Sequence, residues 1–339
     1  MKLGIVLRLV EHSRTFVTLA KSAEEAGFSH LFLADSPELF REVNVSMALA
    51  ASVTSHIKLA SCVTNPITRH WMTTAASLAT INEYSGGRAI LGIGVGESAT
   101  RSIGQKPSTL KELEEAIRNI RLFWRGKRIT IGDSQVRCRW LDDESIPIYV
   151  GAGAHATKTL QMAGRLADGV LISQRNGFKT ALDTIQTSAE ESKRSPESIE
   201  KWAVIPVCLS EDRSLAIKIL KPIFAGTLVR LPRLVNSLPF DLDKERLAVA
   251  ASKIHDIYHA QDWQRAMDLC DFIPDELVRT EALVGNAEDM IAMIRTLERE
   301  GVENLGIRLF FSAKGPDWPE FDQNKYIRTF AEEVIPEFS

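Results

Sequence analysis

Few side chains in this chain are placed to move protons or hold anions, and they fall at the ends of apolar runs. Arg8, Asp35, Glu97 and Arg175 each follow a short hydrophobic segment, and His70 stands just beyond another. Carboxylates and imidazoles are the usual proton donors and acceptors, so Asp35, Glu97 and His70 are the catalytic candidates. Each has a plainer reading. Asp35 suits a cap on the turn before Pro37. Glu97 suits a helix N-terminus, where the dipole favours a carboxylate. His70, with Arg69, suits either a ligand's anionic end or a solvated surface. No Ser-His-Asp order, nucleophile elbow or H-E-x-x-H occurs.

Anion binding has a second source in glycine. Gly151-Ala-Gly-Ala-His-Ala156 follows an apolar run and precedes a helical pattern. Unhindered N–H groups at a helix N-terminus, with the dipole behind them, hold a phosphate well. Gly151, Gly153, Ala154, His155 and Thr157 are the candidate contacts, and a tight βα turn with no ligand accounts for any one of them equally. The spacing also fits G-x-G-x-x-A, and Arg175 past the next strand would suit a 2′-phosphate, so an NADP-dependent Rossmann-type reductase is an alternative. Four βα units before the glycines are too many for that fold. The other glycine run, Leu91-Gly-Ile-Gly-Val-Gly-Glu97, has Glu97 where a third fingerprint glycine would stand.

The elements that must carry these groups alternate strictly. Buried-looking strands are expected at 3–7, 30–34, 57–65, 89–94, 147–150, 169–172, 203–207 and 305–310, with helical patterns between them. Gly27 and Gly86-Gly87 stop two of the helices, and 126–143 alternates like a surface hairpin. The third strand must end at Asn65, because Pro66 cannot continue the ladder and forces its predecessor into extended backbone. Eight continuous apolar strands joined through helices imply a parallel sheet buried on both faces, and eight closes a barrel. The expected fold is α/β, a (β/α)8 TIM barrel forming one domain over 1–339, with a helical insertion between strands 7 and 8 at about 222–281. Phe224, Phe240, Tyr258 and Trp263 in that insertion read as core. The titratable groups then gather at the C-terminal rim.

A hydrophobic share of 45% and a charged share of 25% are ordinary for a globular protein. A net charge of −3 gives no support to a nucleic-acid or membrane partner. Cys62, Cys138, Cys208 and Cys270 are far apart, without metal spacing, and read as reduced buried thiols. With no secretory pattern and no run long enough to span a bilayer, a soluble cytoplasmic protein is expected.

Several segments together resemble the bacterial-luciferase-like superfamily of flavin- and deazaflavin-dependent oxidoreductases. They are Ala23-Glu-Glu-Ala-Gly-Phe28, Cys62-Val-Thr-Asn-Pro66, the stretch from Ala79 to Glu97, Pro147-Ile-Tyr-Val-Gly-Ala152 and Ala167-Asp-Gly-Val-Leu-Ile172. The resemblance is strong over 1–175, weaker to 210, recovers at 284–307 and is almost absent over 222–281. It is nearest to the branch that includes F420-dependent methylenetetrahydromethanopterin reductase.

The resemblance implies reduced FMN or F420 at the barrel mouth, acting on a small organic substrate. It implies a cis peptide at Cys62-Val63 backing the ring, Asp35, Thr64 and Asn65 around the ring's polar edge, and the phosphate on Gly151–Thr157 with Ser173 to Asn176, Arg175 among them, nearby. A homodimer is implied too, and with FMN a flavin reductase as supplier. Two departures stand out: Val6 replaces a first-strand glutamate of the methanopterin reductases, and Glu97 replaces an aspartate. The loss of the first carboxylate argues against the methanopterin substrate and tilts the reading to an FMN-dependent monooxygenase or reductase. A non-catalytic flavin-binding protein is the remaining alternative.

Overall fold

A computed structural model describes residues 1–230, 243–259, 263–309 and 323–338. The chain divides into two compact units, one of Met1–Val204 with Glu300–Ile307, the other of Ile205–Arg299 with Arg308–Ser339.

The first unit holds strands β1 (Lys2–Leu7), β2 (His30–Leu33), β3 (Lys58–Ser61), β4 (Ala89–Ile93), the hairpin β5 (Ile129–Ile131) and β6 (Ser134–Val136), then β7 (Ile148–Ala152) and β8 (Gly169–Ile172). It also takes the first half of β9 (Glu200–Leu209) and most of β11 (Asn304–Leu309). The order β9-β11-β1-β2-β3-β4-β7-β8, with β8 pairing back to β9, closes an eight-stranded barrel. Helices α1 (Ser13–Glu25), α2 (Val43–Ala51), α3 (Trp71–Ser85), α4 (Ser98–Arg101), α5 (Leu110–Trp124), α6 (Thr157–Leu166) and α7 (Phe178–Glu191) lie between the strands. The closed barrel leaves no doubly wound sheet, which removes the Rossmann alternative.

The interior is filled by one residue or two from each of seven strands: Val6, Phe32, Ala60, Ile90, Tyr149, Leu171, Trp202 and Val204. Phe32 meets Trp202 edge-on at 5.0 Å, and His30 lies 4.5 Å from the same indole. A Cβ on Gly4 would come within 2.7 Å of Phe32 and 3.0 Å of Trp202, so β1 needs glycine there.

The end of the barrel where strands begin is fastened by two charged side chains. Glu24, at the end of α1, accepts the N–H groups of Ser55, His56 and Ile57 at 2.7–3.0 Å. Arg88, just before β4, donates to the carbonyls of Ala51, Thr54, Ile57 and Ser85 and to Thr54 Oγ1 at 2.8–3.2 Å. These bonds satisfy orphan carbonyls behind α2, as a helix end requires. Burial alone would raise the Glu24 pKa, but the backbone donors outweigh it and leave the carboxyl lowered.

Two expectations need correction. The third strand was expected to reach Asn65, yet its ladder stops at Ser61, and the Cys62-Val63 peptide that follows is cis, as the resemblance implies. Thr64 rejoins the sheet through a single bridge to Ile93. The second unit also holds a strand too short for periodicity to reveal, β10 (Leu283–Gly285), paired with residues 207–209 of β9. The helices described in that unit are α8 (Arg213–Arg230), α9 (Lys244–His259), α10 (Trp263–Leu269), α11 (Asp275–Glu281), α12 (Ala287–Arg299) and α13 (Gln323–Thr329). Phe224 is buried there. Phe240, Phe310 and the side chains of Tyr258 and Trp263 lie outside the described residues. No described helix is long and apolar enough to cross a membrane.

Candidate active site

The exit of β3 is shaped by glycine on both of the next two strands. A Cβ on Gly94 would sit 2.9 Å from Val63 Cγ2, and one on Gly151 would sit 2.9 Å from Val63 Cγ1. Real Cβ contacts are not this short, so the Val63 side chain takes the space that glycine leaves at the exits of β4 and β7. Beyond it, Thr64 N–H donates to the Gly92 carbonyl and Gly94 N–H to the Thr64 carbonyl, both at 2.9 Å. Asn65 Oδ1 then accepts from the N–H groups of Ile67 (3.0 Å) and Thr68 (2.9 Å), fixing the turn into α3. Cys62 is half-buried beside Val63, against the core cluster.

Asp35, at the exit of β2, is bound to Arg69 rather than left to solvent. The guanidinium reaches Asp35 Oδ2 at 2.6 Å and Oδ1 at 3.2 Å, Glu42 at 2.6 Å and Thr64 Oγ1 at 3.4 Å. Burial would lower the Arg69 pKa, but Asp35 and Glu42 outweigh it and raise it. Of the three residues expected together, Asp35 and Thr64 are thus joined through Arg69, whereas Asn65 bonds to its own turn. His70 is exposed and caps α3, its Nδ1 accepting from Met72 N–H at 3.2 Å. Glu97 stands at the N-cap position of α4 without a side-chain cap bond, and its carboxylate lies 3.5 Å from Arg101.

At the exits of β7 and β8 the helices begin differently. His12, Glu42, His70 and Thr109 cap α1, α2, α3 and α5, but α6 and α7 have no side-chain cap. Gly153 and Ala154 form the turn into α6; His155 and Thr157 are exposed. The His155 ring lies against Gly177, whose φ of +84° and 2.7 Å clearance leave no room for a side chain. Ser173 is exposed, and Arg175 pairs with Glu300 at 3.1 Å.

Buried polar atoms without hydrogen bonds concentrate at these same exits: Ser36 Oγ after β2, Asn65 Nδ2 and Thr68 Oγ1 after β3, Gln174 Oε1 after β8. Buried polar atoms are nearly always paired, so a cluster of exceptions at one rim makes it the candidate binding site. A model of the luciferase-like monooxygenase family matches residues 2–304.

The chain belongs to that family. It is an oxidoreductase of the luciferase-like, flavin- or F420-dependent kind. It is similar to 5,10-methylenetetrahydromethanopterin reductase of Methanopyrus kandleri, at 30% identity covering 99% of this chain and 98% of that protein. It is also similar to F420-dependent glucose-6-phosphate dehydrogenase of Amycolatopsis mediterranei, at 23% identity covering 95% of this chain and 94% of that protein. Among solved structures, the coenzyme F420-dependent tetrahydromethanopterin reductase from Methanopyrus kandleri superposes with a TM-score of 0.79 and 26% identity, covering 100% of this chain and 99% of that one. Among these rim residues, reasoning from the sequence missed Ser36 and Thr68, while Gln174 lies within the stretch Ser173 to Asn176 that the resemblance sets near the phosphate. For Ser36 and Thr68 the signal was present, a small polar side chain at or just past a strand exit, but it is too common to select them.

Proposed function

We propose that this enzyme transfers hydride between the deazaflavin F420 and a small organic substrate at the barrel mouth. The observation that carries the reading is the set of partnerless atoms on Ser36, Asn65, Thr68 and Gln174. Each unpaired buried polar atom costs about 1–3 kcal/mol, which a bound polar ring would relieve. The Val63 wall between Gly94 and Gly151 fits a flat ring, and the uncapped start of α6 fits a phosphate. The F420 dependence of the relatives supports the deazaflavin over FMN.

When bound, F420 supplies hydride chemistry without oxygen activation. The chain's own residues do the rest. Cys62, Val63, Thr64 and Asn65 bind and orient the ring. Gly151, Gly153, Ala154, His155 and Thr157 hold the phosphate, with Ser173 and Arg175 beside it. Glu97 holds or releases the proton that accompanies hydride transfer, and His70 stands at the margin of the mouth. Asp35, gripped by Arg69, positions the polar edge. Val6 is buried in the interior cluster and supplies no carboxylate to a pterin, so the substrate is another small molecule. The same Val6 favours a second reading, reduced FMN with oxygen and a flavin reductase as supplier. A cytoplasmic homodimer completes the proposal.

Fluorescence titration of the purified protein with F420, FMN and NADPH tests the reading. F420 binding at micromolar or tighter, with weak or absent FMN binding, is the expected result. FMN binding alone would move the enzyme to the second reading, and NADPH binding alone would end both.

A further inference from the structure

Arg8, at the exit of β1, takes no part in the transfer described above, yet only 8% of its surface is exposed. Gly4 and Val6 face the barrel interior, and side chains alternate along a strand. Arg8 is therefore the next residue on the inward face, at the mouth. Its guanidinium carbon lies 5.5 Å from the centroid of the Phe40 ring, and its Nε and Nη1 are shielded from solvent. A guanidinium presents its donors in a planar fork that matches the two oxygens of a carboxylate. A site of low dielectric strengthens such a match.

The loop after β2 holds the fork in place. Leu7 pairs with Leu33 at the ends of the two strands, and Arg41 donates its N–H and Nη1 to the Leu9 carbonyl at 3.1 and 3.2 Å. In the same loop the Ser36 carbonyl accepts from Phe40 N–H at 2.8 Å, which sets the ring beneath Arg8. Ser36 Oγ is itself buried, at 2% exposure, and has no hydrogen bond among the described residues. A hydroxyl donates one bond and accepts others, so Ser36 can give its proton to an oxyanion and still accept from a cofactor ring. The loop's own carboxylates, Asp35 and Glu42, are turned to Arg69.

This corner is separate from the turn proposed for the phosphate. In the order β1-β2-β3-β4-β7, β7 stands four places from β1, on the opposite side of the eight-stranded barrel.

We infer that Arg8 and Ser36 anchor the substrate, and that the substrate is a carboxylic acid held at the β1–β2 side of the mouth. The fork of Arg8 takes the two carboxylate oxygens, and the Ser36 hydroxyl donates to one of them. One guanidinium offsets the single charge of a carboxylate, whereas a phosphate monoester brings nearly two. The inference rests on the proposed transfer at the barrel mouth and narrows its substrate class.

Calorimetric titration of the full chain loaded with F420 tests the anchor, with hexanoate, hexyl phosphate and hexanol as probes. The wild type is expected to bind hexanoate about tenfold or more tighter than hexanol, and no more weakly than hexyl phosphate. Arg8→Gln should bring hexanoate within about twofold of hexanol, and Arg8→Lys should keep part of the preference. Ser36→Ala should weaken hexanoate by about three- to tenfold. Equal binding of hexanoate and hexanol by the wild type, or a preference left intact in Arg8→Gln, would overturn the anchor. Hexyl phosphate binding about tenfold tighter than hexanoate would overturn the carboxylate assignment. The wild-type comparison and Ser36→Ala decide the matter should Arg8→Gln fold poorly. Failure of F420 to load would overturn the deazaflavin reading alone, and the same probes on the FMN-loaded chain would then decide for Arg8.

Discussion

Arg69 holds Asp35 through both of its terminal nitrogens, at 2.6 and 3.2 Å, and so ties the loop after β2 to the loop after β3. The same guanidinium reaches Glu42 at the start of α2. Two rim loops thus share one half-buried cation.

Arg69→Ala should therefore lower stability by about 3 kcal/mol, because it leaves Asp35 buried without its counter-charge. Urea denaturation measures the loss. Arg69→Lys should recover only part of it, since an ammonium cannot reproduce the two-pronged geometry. An alanine variant within about 0.5 kcal/mol of wild type would show that the clasp carries no weight.

Glu97→Gln should reduce kcat by about 100-fold or more while the cofactor dissociation constant changes less than about twofold. Stopped-flow hydride transfer and fluorescence titration separate the two effects. Unchanged turnover would move the proton to another group, with His70 next to be tested.

Gly151→Ala should weaken cofactor binding about tenfold or more, since the new methyl displaces Val63 and overpacking costs about 1–3 kcal/mol. Adding Val63→Ala should restore stability by vacating the space. If the double variant is no more stable than Gly151→Ala, Val63 is not the atom group in the way.

His30 gives a pH dependence with a defined sign. Burial beside Trp202 is the main cause that pushes its pKa down to about 4, partly opposed by Glu200. The unfolded chain takes up this proton near 6.5 and the folded chain does not. Its contribution is complete above pH 6.5 and is lost as pH falls toward 4, a change of up to about 3 kcal/mol. Denaturation midpoints between pH 7 and 4.5 should show this slope, and His30→Phe should flatten it.

Much of the barrel was legible because its parallel strands are continuous apolar runs, such as Leu3–Leu7 and Gly169–Ile172, punctuated by Gly27, Gly86 and Pro66. The cis Cys62-Val63 peptide came only from the resemblance, since no spacing encodes it. Asp35 and Arg69 are both visible in the sequence, but a pairing across 34 positions depends on closure of the sheet. Gln174 came only with the stretch Ser173 to Asn176 that the resemblance set near the phosphate; its burial and unpaired oxygen depend on the fold. β10, three residues long, has too few positions to display a period.

Glu24 and Arg88 fasten the far end of the barrel with bonds that involve none of the rim loops. Engineering can exploit that separation. The loop after β4 can be recut for other substrates in combinatorial libraries, while strand register is held from the opposite pole. Variants failing in such libraries should fail mostly in turnover, and only rarely in soluble yield.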